Sequence, residues 1–149
     1  MLTRLYEAFS LSLLVWGIGG CDLLGAESDD KLTAALVGSW YGEAIDPDSN
    51  AKIEVLIKLM PEGKFTATRR LTDAQRPPQV DIETGEWFVS NSFYRRRTNS
   101  LNSKRLERAE QSYSTCRIES VTNNEWTCVN GISNVIENRR RVAEDFKLP

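Results

Sequence analysis

Ala51-Lys52-Ile53-Glu54-Val55-Leu56-Ile57-Lys58-Leu59-Met60 is the stretch whose reading decides the fold. Ile53, Val55, Ile57 and Leu59 recur at every second position, and Glu54 and Lys58 fall between them. A period of two sends these sets to opposite faces of an extended chain, so residues 51–60 read as a half-buried strand. Pro61-Glu62-Gly63-Lys64 follows as a tight turn, and Phe65, Ala67 and Leu71 carry the apolar face back along a returning strand. Upstream, Asp46-Pro47-Asp48-Ser49-Asn50 is a turn by composition, which makes residues 39–45 a preceding strand.

The same grammar continues towards the C-terminus. Arg76-Pro77-Pro78 reads as a loop that cannot sit inside a sheet. Residues 80–90 and 92–98 form a hairpin around Asn91, and residues 111–120, 125–130 and 133–142 give three more strands, the last two joined at Gly131. Residues 99–110 read either as a long loop or as a short surface helix capped by Ser103. Ahead of the strands, Asp29 or Asp30 caps a short helix over residues 31–36, ended by Gly38. About eight strands joined by short connections make an all-β protein, most simply an antiparallel up-and-down β-barrel whose closure removes exposed edges.

The N-terminus carries an address. Arg4 precedes an apolar run over residues 8–18, broken only by Ser10, Ser12 and Gly17, which is too short to span a membrane and reads as a secretory signal. The run ends in Ile18-Gly19-Gly20-Cys21, which resembles the lipobox of bacterial lipoproteins. That resemblance implies that residues 1–20 are a signal peptide and that Cys21 becomes the acylated first residue, carrying palmitate-like chains. It also implies that Asp22 favours the inner membrane, on its periplasmic side. Residues 21–35 are then a lipid-anchored tether, residues 36–142 the barrel and residues 143–149 a C-terminal tail.

Composition excludes several functions. The 149 residues carry 19 Lys and Arg against 21 Asp and Glu, a net charge of -2 that gives no general attraction for nucleic acid. The absence of histidine removes the usual metal ligand and the usual general base, so neither a metal site nor a cofactor is expected. Cys116 and Cys128 suit a disulfide in an oxidising compartment, across a hairpin centred on Thr122 that sets them directly opposite each other. Cys116 as a nucleophile would lack a histidine partner. No spacing argument brings Glu83 and Glu86, or Glu107 and Glu110, into a cleft as an acid and base, so the chain is not read as an enzyme.

Gly38-Ser39-Trp40, at the start of the first strand and behind a helical turn, is similar to the opening motif of lipocalins and related calycin barrels. In that family the tryptophan plugs the closed end, and an arginine of the last strand packs across it. The resemblance therefore implies a lipocalin-like barrel in which one of Arg139, Arg140 and Arg141, with Arg139 first in line, covers Trp40. It also implies binding or carriage of a small apolar or amphipathic ligand. The strands are short for the family, which implies a small barrel.

Arginines on strands supply the candidate site. Arg69 shares parity with Phe65, Ala67 and Leu71, Arg117 shares parity with Tyr113, and Arg95, Arg96 and Arg97 are consecutive. One reading collects Arg69, Arg95, Arg97 and Arg117 with Trp87 at the barrel mouth, where guanidinium forks clasp the carboxylate or phosphate of a ligand. The other pairs the arginines with Glu54, Glu83, Glu86, Glu119 or Glu137 across strands. Trp40, Trp87, Trp126, Phe65, Phe93 and Tyr113 are expected to line the interior. The rival to carriage is a filled barrel acting by protein contact, as an envelope assembly factor or a hydrolase inhibitor.

Overall fold

Residues 28–148 are described by a computed structural model. The predicted signal peptide, Cys21, Asp22 and the start of the predicted tether lie outside the described residues. Asp29–Leu36 forms α1. The strands are β1 Gly38–Ile45, β2 Lys52–Leu59, β3 Lys64–Asp73, β4 Arg76–Ser90, β5 Phe93–Leu101, β6 Lys104–Arg105, β7 Ser112–Val121, β8 Glu125–Asn130 and β9 Ile136–Val142. Every pairing is antiparallel, and β9 returns to β1 along Ser39, Trp40 and Tyr41. β1 to β5 with β7 to β9 therefore close into the expected lipocalin-like barrel, and β6 lies beside the end of β5.

Register decides which side chains turn inward. Trp40 opposes Ile57 and Arg141, Trp87 opposes Arg96, Tyr94 opposes Cys116, and Trp126 opposes Arg139. Trp40, Trp126, Phe65, Ile57 and Leu59 are at most 1% exposed and form the core with Trp87 and Tyr94. α1 covers this end through Leu32 and Leu36, and the Trp40 indole donates to the Leu36 carbonyl at 2.7 Å. Arg141 lies 4.1 Å from the Trp40 ring centroid, so the arginine that covers Trp40 is Arg141 rather than Arg139. Arg139 shares the inner face one step away and covers Trp126 at 4.5 Å.

Four local expectations change. The α1 cap is Ser28, whose hydroxyl accepts from the Lys31 amide, whereas Asp29 turns its carboxylate to the Asn91 and Ser92 amides at 2.8 and 2.9 Å. Arg76-Pro77-Pro78 lies within β4, because Leu71 pairs with Gln79 and Asp73 with Arg76, an irregularity that leaves both prolines without a register partner. Residues 99–110 are neither loop nor helix at their start: Asn102 and Ser103, both at positive φ, make a two-residue turn into β6. The Cys116–Cys128 disulfide is present, yet Cys116 opposes Asn130 and Ile118 opposes Cys128. The hairpin reverses at Asn123-Asn124 rather than at Thr122, a bulge between Ile118 and Ser120 makes up part of that offset, and the bridge runs diagonally across a Cα separation of 5.7 Å.

Candidate functional site

The barrel interior has two halves of different chemistry. Towards α1 it is filled by the aromatic core. Trp87 belongs to that filling: it is buried and its indole donates to the Met60 carbonyl at 3.0 Å. Towards the other end the inward positions turn polar. Arg96 lies 3.6 Å from Glu83 and over the Phe65 ring, and the Thr98 hydroxyl donates to Glu83 at 3.0 Å. Arg139 is ion-paired to Glu137, donates to Cys128 Sγ at 3.4 Å, and Asn130 holds the other Glu137 oxygen at 2.8 Å. Arg69 keeps the inner parity expected of it and pairs at the rim with Asp81 at 3.1 Å. Asp81 also accepts from Asn102, and these partners hold its carboxyl below the usual range despite some burial.

Between the halves sits Tyr94, whose hydroxyl is buried without a hydrogen-bond partner and is pushed up by that burial. The charges of Arg96, Arg139, Glu137 and Glu83 all act on it. Arg96 Nη1 and Trp126 Nε1 are likewise buried donors without an acceptor. Cys116, Cys128 and Glu137 bring ligand-type atoms within 4.8 Å of one another, but both sulfurs are committed to the disulfide and offer no thiolate.

The remaining predicted site residues stand elsewhere. Arg95, Arg97 and Arg117 alternate with the inward Tyr94, Arg96 and Cys116, so all three lie on the outer wall, together with Phe93 and Tyr113, and are not brought to Arg69 and Trp87. Arg97 is ion-paired to Glu86, and Arg117 to Glu119 at 2.7 Å. Cross-strand pairing also accounts for Arg70 on Glu54, a carboxylate only 2% exposed that accepts from Tyr41 and Lys52 as well. Two depressions, of about 330 and 310 Å³, lie on the outer wall. The first crosses β1, β9 and β8 and is lined by Tyr41, Glu43, Glu125, Asn138 and Arg140; the second lies beside Lys147 and Leu148 of the tail.

No known protein family matches this chain, and no curated protein is similar to it. The site is therefore argued from its own geometry. Sequence reasoning missed Arg96, Glu83, Tyr94 and the Arg139–Glu137 pair as one interior cluster. Glu83 of β4, Tyr94 and Arg96 of β5, and Glu137 and Arg139 of β9 meet only through long-range register, and the irregularity between Thr84 and Gly85 resets Glu83 against β5.

Proposed function

We propose that this protein is a lipid-anchored lipoprotein of the cell envelope, held at Cys21 on the periplasmic side of the inner membrane, whose small barrel works by surface contact. Neither catalysis nor transport of a long apolar guest is part of this reading. The observation that carries it is the filling of the interior: tryptophans, Tyr94 and Phe65 occupy one half and ion pairs the other. A barrel of this strand number is just wide enough to be filled by its own side chains. Support for the compartment comes from the lipobox-like Ile18-Gly19-Gly20-Cys21 and from the disulfide.

The test is solvent extraction of the full-length protein from membranes, with mass spectrometry of both phases. Acyl chains on Cys21 and no stoichiometric guest are expected, and Cys21→Ser should leave an unprocessed precursor. A guest recovered near one per chain would displace surface contact in favour of carriage. That second reading has its own support in the unpartnered donors Tyr94 Oη, Arg96 Nη1 and Trp126 Nε1, which suit a short, oxygen-rich anionic group. Under it, Arg69→Ala and Arg96→Ala would lower guest recovery.

A further inference from the structure

The outer wall of β4, β5, β6 and β7 carries a ladder of arginines that the interior does not use. Register sets them in rows: Phe93 beside Arg117, then Phe88, Arg95 and Thr115, then Glu86, Arg97 and Tyr113, then Ser100 and Arg105. Lys64 of β3 joins the third row by pairing with Glu86 at 2.9 Å. Glu86 serves both Lys64 and Arg97, and Glu119 serves Arg117, so the cations outnumber the carboxylates on this wall. Arg95 and Arg105 have no carboxylate partner among the described residues, and Arg95 Nε and Thr115 Oγ1 beside it are buried without hydrogen bonds. In a chain of net charge -2 this is a local positive field.

Two aromatic rings stand out of the same wall. Phe88 is 54% and Tyr113 67% exposed. A soluble partner of simple polyanionic character would use the arginines and leave the rings in water. A bilayer uses both: guanidinium forks take phosphates, and aromatic rings settle at headgroup depth. The chain path agrees, because Asp29 at the start of α1 is bonded to the Asn91-Ser92 turn between β4 and β5, so the described chain begins beside this hairpin.

We propose that the outer wall of β4, β5, β6 and β7 docks on a bilayer bearing anionic phospholipid, laying the barrel on its side. The wall of β1, β2 and β9, with Glu43, Glu125 and the tail, then faces away and stays free for other contacts. The proposal rests on the envelope location argued above but not on the acyl anchor.

The test uses full-length Phe88→Trp protein reconstituted into phosphatidylcholine vesicles with or without phosphatidylglycerol, each containing a spin-labelled lipid. Quenching is read as the difference from the parent protein. The introduced indole should be quenched when phosphatidylglycerol is present and not in phosphatidylcholine alone. High salt should release it, and Arg95→Gln and Arg105→Gln should each weaken the contact roughly fivefold. Salt titration reads the same contact without altering the fold. An indole that stays unquenched in both vesicle types, or quenching indifferent to salt, would overturn the proposal. So would strong heparin binding without vesicle contact, which would name a soluble polyanion instead. Protein that fails to stay with phosphatidylcholine vesicles speaks against the anchor, a separate outcome from an unquenched indole on protein that stays.

Discussion

Arg141 reaches from β9 to the carbonyls of Ala35, Val37 and Asn123, each at 2.7 Å, while its guanidinium sits over the Trp40 ring. These carbonyls belong to the end of α1 and to the β7–β8 turn, so one side chain ties three segments across the closed end. Gly38 makes room for it: its φ is +132°, and a Cβ there would collide with Arg141 Nη1. Arg141→Ala should cost roughly 3 kcal/mol in urea denaturation, since hydrogen bonds to charged donors are the stronger kind and the carbonyls lose their partner. Arg141→Lys should recover only part of this, because an ammonium cannot fork between carbonyls while stacking on the indole. If Arg141→Ala unfolds at the parent midpoint, the closed end is held by apolar packing alone. Residue identity exposed the motif, Gly38 and Trp40 with an arginine on the last strand. Which of three consecutive arginines answers Trp40 follows from β1–β9 register, and that depends on contacts far apart in sequence.

The hairpins show how much of each element depends on turn chemistry. Asn102 and Ser103 at φ 50° and 66°, like Asn91 and Ser92 at 54° and 61°, form turns whose backbone hand suits antiparallel strands. Glycine takes such angles freely and serine does not, so Ser103→Gly should raise the melting temperature, by about 0.5 kcal/mol equivalent after the entropy of the freer unfolded chain is subtracted. A lower melting temperature would mean that Ser103 holds the turn by contacts of its side chain. Without a glycine the second turn is hard to recognise, which is why residues 99–110 resembled loop or helix while the alternation in β2, β3 and β8 was plain. Register is harder still: the hairpin reverses at Asn123-Asn124 rather than at Thr122, and the extra residue near Glu119 then leaves Cys116 and Cys128 two positions out of step, so the pair bridges diagonally. The bridge still closes the same hairpin, and Cys116→Ala with Cys128→Ala should lower stability by roughly 3 kcal/mol on the chain-entropy account, measured by denaturation under non-reducing conditions. Simple alternation along β5 separates Arg96 inside from Arg95 and Arg97 outside, but which of the two sets faces inward depends on the pairing with β4 and β7, which the sequence of β5 alone does not carry.

Across the whole molecule the charges the fold engages are carboxylates and tyrosines, with no histidine between them. Burial pushes Glu54 up, but bonds from Arg70, Tyr41 and Lys52 outweigh it and leave the carboxyl below its usual range. Lys64 and Arg97 lower Glu86, and Asn102 and Arg69 lower Asp81. A carboxylate lowered in the folded state adds stability that is present above the unfolded value and lost as pH falls through the folded one, so the acid limb should begin near pH 4 and steepen below it. Tyr41, raised by burial and by Glu43 and Glu54, and Tyr94, raised by burial, act in the opposite sense: their contribution is intact below the ordinary tyrosine value, about 10, and lost above it. Between these limbs nothing on the barrel titrates strongly, so urea midpoints should be flat from about pH 5 to 9. Glu54→Gln should lower the plateau, because Arg70 keeps a poorer partner, and should also flatten the acid limb, because one of the lowered carboxyls is gone. A variant with a lower plateau and an unchanged acid slope would show that Glu54 matters as packing rather than as a charge. A slope centred between pH 6 and 7 in the parent protein would require a titrating group that this set of side chains does not contain.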